Sequence, residues 1–202
     1  MNQSTFKRKL LNMEELRKIA DSPIWNQGDT QGIYNFPLPE DRDFMEDGKR
    51  LAVGNPEDET YIIGPYYAAT SPQSHIGPYK WAIDFLVPDG TEVLAAEDGV
   101  IVEVIDSNFA WGDSEEFRDQ LNYLTIRHAN GEFSQYCHLA TQSFRQTGLK
   151  VGDSVKKGQQ IARVGKTGWT DRDHLHFLVF KVEKLEGSPF GFYSLKVRFD
   201  NL

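Results

Sequence analysis

The sequence predicts an all-β fold, an antiparallel sandwich or barrel. From residue 61 onwards, short runs of β-branched and aromatic residues recur between turn signals that lie about eight to twelve residues apart. The dipeptide Asn130-Gly131 is the strongest hairpin signal in the chain, and it joins two of these runs. Because no long helical pattern alternates with the runs, a parallel α/β arrangement is not favoured.

The runs after residue 60 predict the strands, and one polar segment interrupts them. Residues 106–120 are too irregular for a strand and too long for a tight hairpin, so they suit either a functional rim or a solvated insertion. The predicted strands are 61–63, 81–87, 91–95, 100–105, 121–127, 132–139, 154–155, 160–164 and 174–184.

The first 59 residues have a different pattern. Residues 5–20 carry apolar side chains at spacings of three and four, which predicts a short amphipathic helix. Residues 21–59 lose this periodicity and collect Gly and Pro, which predicts an irregular arm wrapped on the domain or leading into it. We therefore expect a helix and an arm over residues 1–59 and a folded domain over residues 60–202.

Composition and charge disfavour several classes of protein. With 202 residues, 39% hydrophobic and 26% charged, the chain is long enough for one well-buried core. The net charge of −8 and the lack of a basic cluster disfavour binding to nucleic acid. No apolar run reaches the roughly 18 residues of a membrane-spanning helix. The apolar run after the basic residues 7–9 is too short for a signal peptide, so no export signal is recognisable.

The chain has one cysteine, Cys137, so an internal disulfide is impossible. A cysteine within a strand-like run is usually a small buried hydrophobic residue, and we expect that role here. The other interpretation is a nucleophilic pair of Cys137 with His138. It is disfavoured because neighbouring side chains of a strand point to opposite faces.

The most histidine-dense stretch of the chain contains His174 and His176. In an extended strand these two imidazoles share one face, while Leu175 and Phe177 share the other. Such a pair can bind a metal ion, or can divide its work between a metal ligand and a proton-transfer group. The alternative is a half-buried strand with two incidental histidines.

A carboxylate and a third imidazole could complete a metal site. Asp84 lies between Ile83 and Phe85 in an apolar run, where an unpaired charge is costly to desolvate, so a metal or a strong partner is expected. The alternative for Asp84 is a salt bridge or a capping role at a strand end. Catalytic zinc typically has three protein ligands, and His75, Asp84 and the 174/176 pair could supply them.

Two further histidines flank the predicted hairpin. His128 stands just before the turn, where a surface position is expected. His138 lies at the end of the returning strand, and alternation places it on the face of Ser134 and Tyr136. His138 could therefore look into a cleft shared with Tyr136, or could be an ordinary strand histidine.

Taken together, several blocks of the sequence resemble one family, the lysostaphin/LytM-type zinc metallo-endopeptidases. The resemblance covers about residues 60–184 and follows the order of the family's motifs. It implies a β-sheet fold of the duplicated hybrid motif type, an antiparallel β-sandwich or half-barrel with an open groove. The blocks that carry it are GTEVLAAEDGVI at 90–101, YCHL at 136–139, VGDSVKKGQQI at 151–161, GKTG at 165–168 and HLHF at 174–177.

The resemblance also implies a site and an activity. A single Zn²⁺ ion would be held by His75, Asp84 and His176, and His138 and His174 would assist the chemistry. The substrate class of the family is the peptide part of bacterial peptidoglycan. We therefore expect a monomeric zinc endopeptidase without a nucleic-acid partner or a membrane span. The family acts in the cell envelope or outside the cell.

One position departs from the family's commonest pattern. The residue four before Asp84 is usually a histidine, and here it is Lys80, whose ammonium cannot replace a neutral imidazole. His75 stands nine residues before Asp84, an odd offset that would send the two side chains to opposite faces of a straight strand. The sequence Gly77-Pro78 indicates a turn or bulge that could restore convergence.

Two alternatives to the enzyme remain open from the sequence. Some relatives keep the fold but lose zinc ligands, and they bind cell wall or activate another wall hydrolase. The Lys80 departure is the feature that favours this alternative. Residues 151–158 also resemble the hairpin of biotinyl and lipoyl carrier domains, but a carrier needs no histidine cluster.

Overall fold

The computed structural model describes residues 13–53 and 59–200. Within these ranges there are two α-helices, α1 (Met13–Ile19) and α2 (Met45–Leu51), and thirteen strands. The strands are β1 (Thr60–Ile63), β2 (Tyr66–Ala69), β3 (Ile83–Phe85), β4 (Glu92–Leu94), β5 (Gly99–Ile105), β6 (Trp111–Gly112), β7 (Tyr123–Arg127), β8 (Glu132–Cys137), β9 (Ser154–Val155), β10 (Gln160–Arg163), β11 (Gly168–Trp169), β12 (Leu175–Lys181) and β13 (Tyr193–Leu195). Short 3₁₀ helices lie at Pro23–Trp25, Gly77–Tyr79, Glu115–Gln120 and Arg145–Thr147.

A large antiparallel sheet dominates the fold, as the sequence predicts. Its strands follow the order β1-β2-β3-β12-β8-β7-β5-β9, and β13 pairs with the far end of β12. Two small pairs complete the structure, the antiparallel β10-β4 and the parallel β11-β6. The hairpin predicted at Asn130-Gly131 joins β7 to β8, and Gly131 has the positive φ of 81° that favours glycine in such a turn.

The main core lies on one face of this sheet. Along β12, Leu175, Phe177 and Val179 are fully buried in it, so the alternation expected for this stretch is confirmed. The opposite face carries His176, the second residue of β12, and His174 lies one residue before that strand. Cys137 is buried, as expected for a small hydrophobic residue.

The N-terminal arm packs on the domain. Tyr34, Phe36, Leu38 and Phe44 all belong to the main core. Helix α1 falls within the predicted helix, and the rest of that prediction, residues 5–12, lies outside the described residues.

The sequence did not predict helix α2. It is two turns long and contains Gly48, a residue of low helix propensity. The sequence of this segment therefore does not indicate a helix. A Cβ atom at Gly48 would lie 2.8 Å from the Cβ of Tyr67, so glycine allows the helix to approach β2 closely. Helix α2 is therefore specified by packing between elements that are distant in sequence.

The expected surface position of His128 is wrong. His128 is 5% exposed, and its ring contacts Tyr34 of the arm edge-on at 5.3 Å between centroids. Its Nδ1 lies 2.8 Å from the Asp98 carbonyl, and its Nε2 lies 2.9 Å from the Ser134 hydroxyl. The arm covers this end of the hairpin, which local turn chemistry does not reveal.

Candidate metal centre

Asp84 and His176 meet because β3 and β12 are neighbours. They are directly opposite each other in the antiparallel register, so their side chains share one face of the sheet. Asp84 Oδ1 lies 2.8 Å from His176 Nδ1. The other carboxylate oxygen, Oδ2, accepts a hydrogen bond from the Ser71 hydroxyl. Ser71 therefore fixes the carboxylate with one oxygen towards the imidazole.

His75 reaches the same place from a loop. The chain leaves β2, and the His75 amide donates to the Ser71 carbonyl at 2.9 Å. A 3₁₀ turn then begins at Gly77, whose φ of 58° is left-handed, and returns the chain to β3. This turn compensates for the odd offset from Asp84, as the Gly77-Pro78 signal indicated. His75 Nε2 lies 3.1 Å from Asp84 Oδ1 and 3.3 Å from His176 Nδ1.

These three donor atoms fit a metal ion. One ligand atom from each of His75, Asp84 and His176 lies within 4.8 Å of the others. Two imidazole nitrogens and one carboxylate oxygen form a typical donor set of catalytic zinc, with room for a fourth, non-protein ligand. Among the described residues, this is the group of histidine, cysteine and acidic side chains whose ligand atoms lie close enough together to bind one metal ion.

The charges of the site favour deprotonated ligands, which a metal requires. Burial would raise the pKa of Asp84, but the imidazoles of His75, His174 and His176 outweigh it and hold the pKa well below its usual range. Burial lowers the pKa of His176, although the Asp84 carboxylate opposes this effect. Both shifts favour the forms that bind a metal ion, an ionised carboxylate and a neutral imidazole.

His138 joins the site through an unusual backbone conformation. It follows the last residue of β8 with a φ of 60°, in the left-handed region. Its ring lies 4.5 Å from that of His174 and 6.1 Å from that of His176, between centroids. The expected cleft shared with Tyr136 is wrong, because Tyr136 is fully buried in the main core. The left-handed residue turns the His138 side chain to the opposite face.

Backbone carbonyl groups orient both non-ligand histidines. His138 Nδ1 lies 2.7 Å from the Thr167 carbonyl, and His174 Nδ1 lies 3.1 Å from the Arg172 carbonyl. A carbonyl only accepts hydrogen bonds, so each Nδ1 carries the proton and each neutral ring keeps Nε2 as an acceptor. His174 Nε2 lies 3.7 Å from Asp84 Oδ1. Burial, with His174 and His176 nearby, holds the pKa of His138 well below its usual range.

Lys80 points away from the candidate metal centre. Its ammonium donates to Asn26 Oδ1 at 2.7 Å and lies 5.4 Å from the centroid of the Trp81 ring. The lysine therefore occupies a place on the arm side of the loop, while His75 supplies an imidazole to the site. Sequence reasoning missed Ser71, whose role depends on a contact between β2 and β3 that has no local signal.

The polar segment 106–120 forms a wall beside these histidines. Its strand β6 pairs with β11, directly after Thr167, whose carbonyl orients His138. Two aromatic side chains of this wall face solvent, Phe109 at 80% and Trp111 at 46% exposure. The Lys166 ammonium lies 5.1 Å from the Trp111 ring centroid and forms an ion pair with Asp173.

A His-Asp-His donor set with two further imidazoles, on one face of an antiparallel sheet, can hold a metal ion and supply the proton-transfer groups that hydrolysis needs. The chain belongs to peptidase family M23, whose family model matches residues 78–188. This confirms the resemblance to the lysostaphin/LytM-type family.

Named relatives agree with this assignment. The peptidoglycan DD-endopeptidase ShyC of Vibrio cholerae is 35% identical over 103 residues, 50% of this chain and 20% of ShyC. The glycyl-glycine endopeptidase ALE-1 of Staphylococcus capitis is 35% identical over 118 residues, 58% of this chain and 27% of ALE-1. The catalytic domain of lysostaphin from Staphylococcus simulans superposes with a TM-score of 0.41 and 27% identity, over 64% of this chain and 80% of that domain. The matches span about a quarter of the length of the two relatives.

In the part of the chain that the structure describes, no helix has the length and apolar character needed to cross a bilayer.

Proposed function

We propose that this chain is a zinc-dependent endopeptidase that hydrolyses peptide bonds in the stem peptides or cross-bridges of peptidoglycan. The observation that carries the proposal is the convergence of His75 Nε2, Asp84 Oδ1 and His176 Nδ1 beside two more imidazoles. The names of two relatives support the substrate class, since one is a peptidoglycan endopeptidase and the other a glycyl-glycine endopeptidase.

His75, Asp84 and His176 would hold one Zn²⁺ ion. When bound, zinc supplies a Lewis acid that polarises the scissile carbonyl and makes water a nucleophile at neutral pH. Ser71 keeps the Asp84 carboxylate in place, and the register of β3 and β12 keeps His176 opposite it. These contacts reduce the freedom that the ligands would lose on binding.

His138 and His174 would move the protons. The backbone carbonyl beside each Nδ1 favours the tautomer with the proton on that nitrogen, which leaves Nε2 of the neutral ring as a proton acceptor. Such a nitrogen accepts a proton from the attacking water, and the resulting imidazolium donates it to the leaving amine nitrogen. A positioned general acid or base contributes about 10²- to 10⁴-fold in rate. The wall formed by residues 106–120, with exposed Phe109 and Trp111, would contact the substrate on the His138 side.

Metal content and cleavage of purified peptidoglycan test this function. We expect about one zinc per chain and loss of peptide-bond cleavage when a chelator removes it. His75→Ala should abolish zinc binding, whereas Lys80→Ala should retain it, because Lys80 contacts Asn26 instead. A protein that holds no metal, fails to cleave with zinc supplied, and still binds wall material would instead be a non-catalytic module.

A further inference from the structure

The loop that carries His75 rests on the N-terminal arm. A Cβ atom at Gly77 would lie 3.4 Å from Leu16 Cδ2 and 3.9 Å from the Trp25 ring, so Leu16 of helix α1 and Trp25 of the arm both cover this turn. Ile76, the residue after His75, packs against the same cluster, which contains Leu16, Trp25, Phe190, Tyr193 and Leu195. The apolar contact therefore begins at the residue next to the candidate ligand.

Two hydrogen bonds tie the far end of the same loop to the arm. The Trp81 indole donates to the Trp25 carbonyl at 3.1 Å, and the Lys80 ammonium donates to Asn26 Oδ1 at 2.7 Å. Trp25 is itself fixed, since it is 1% exposed and its Nε1 donates to the Ile19 carbonyl at 2.6 Å. The arm thus holds the loop on both sides of its 3₁₀ turn.

This support matters because His75 lies on no strand. The register of the sheet fixes Asp84 and His176, but His75 Nε2 keeps its 3.1 Å distance to Asp84 only while the intervening loop holds its shape. We propose that Trp25 and Asn26 are positioning residues for the metal centre, which set its affinity by holding the His75 loop. The inference rests on the proposed function in one respect, that His75 is a zinc ligand.

The family match does not include the residues that support the His75 loop. It covers residues 78–188, whereas Trp25, Asn26 and His75 all precede it. The longer connection between His75 and Asp84 is also the place where this chain departs from the family's commonest spacing. An added loop that carries a ligand needs a support of its own, and the arm supplies it here.

Zinc affinity, measured by competition with a chromophoric chelator, tests the inference. Trp25→Leu should weaken binding about tenfold, the lower end of what loss of outer contacts costs at metal sites. Asn26→Ala should weaken zinc binding by a smaller factor. Asn26→Asp should bind zinc about as tightly as the wild type, because a carboxylate also accepts a hydrogen bond from Lys80. Phe44→Leu is the matched control. Phe44 is an arm residue that is 1% exposed and packs on Tyr66 in the main core, so its loss should leave zinc affinity unchanged.

Hydrogen exchange of the metal-free protein provides a second readout that does not depend on zinc. Amides of residues 71–81 should exchange faster in Trp25→Leu than in the wild type, and at the wild-type rate in Phe44→Leu. If Trp25→Leu fails to fold, the two variants of the exposed Asn26, Asn26→Ala and Asn26→Asp, provide the same comparison. Unchanged exchange at 71–81 in Trp25→Leu and Asn26→Ala, or equal loss of zinc affinity in Trp25→Leu and Phe44→Leu, would overturn the inference. A wild type that binds no zinc would overturn the proposed function, while the exchange still decides the arm's role.

Discussion

Asp84 sets the electrostatics of the candidate site. Its carboxylate is buried and ionised, and the three imidazoles of His75, His174 and His176 lower its pKa. A buried charge is tolerated when it is paired and hydrogen-bonded, and Ser71 and His176 provide both conditions. The arrangement therefore attracts a cation, and burial of the His176 imidazole lowers its pKa, which favours the neutral form that a metal requires.

The first prediction concerns the pH dependence of the metal-free fold. Burial depresses the pKa of His138, so the unfolded chain binds more protons than the folded one below the ordinary histidine value of about 6.5. The neutral, buried His138 therefore lowers stability only below that pH, and the loss grows as the pH falls towards the folded-state pKa. We expect the melting temperature of metal-free protein to decrease between about pH 7 and 5, and to decrease less in His138→Gln. Thermal melts across this range measure both, and identical slopes would contradict the prediction.

The division of roles among the histidines gives the second prediction. His138 is not one of the three converging donors, and its Nδ1 is engaged by the Thr167 carbonyl. His138→Ala should therefore retain zinc but lower the rate of peptide cleavage by about 10²- to 10⁴-fold. Metal analysis and turnover on the same preparation check this, with His75→Ala as the metal-free reference. If His138→Ala loses its metal, the roles assigned to the two kinds of histidine are wrong.

At the scale of elements, the wall formed by residues 106–120 supports the third prediction. The Trp111 indole is 46% exposed, and its element β6 is joined to β11 next to the His138 support. Trp111→Ala should raise KM several-fold with a smaller change in kcat, because the ring would bind substrate and touch no reacting group. Val151→Ala is the control, since Val151 is 56% exposed on another turn. A loss confined to kcat would place Trp111 in a different role.

The sequence predicts the elements whose cause is local. The alternation of β12 and the Asn130-Gly131 hairpin appear in the structure as expected, because side-chain period and turn chemistry decide them. Helix α2 and the burial of His128 depend on contacts between distant segments, and no nearby residue signals them. The left-handed conformation of His138 is also invisible to alternation, which assumes an unbroken strand. The family resemblance implied that His138 lies beside the metal ligands, whereas alternation assigned its side chain to the face of Tyr136.

At the scale of the molecule, the arm and the sheet form one folded unit, and the arm is attached to the core along much of its length. One end of the arm, around Trp25, supports the His75 loop. Further along the arm, residues 31–34 are attached to Glu132, a fully buried carboxylate at the opposite end of the sheet from the candidate site. The two attachments can therefore be disturbed separately, and only the first should affect the metal.

The last prediction tests that separation. Glu132 accepts hydrogen bonds from the Gln31 amide at 2.6 Å, the Gly32 amide at 3.1 Å, the Tyr34 hydroxyl at 2.9 Å and the Asn130 side-chain amide at 2.7 Å. Glu132→Gln replaces an acceptor oxygen by a donor that faces other donors, so it should lower the free energy of unfolding by about 1–3 kcal/mol. Chemical denaturation measures this loss, and zinc affinity at a temperature where the variant is folded should equal that of the wild type. Weakened zinc binding in Glu132→Gln would show that the whole arm, rather than its Trp25 end, holds the His75 loop.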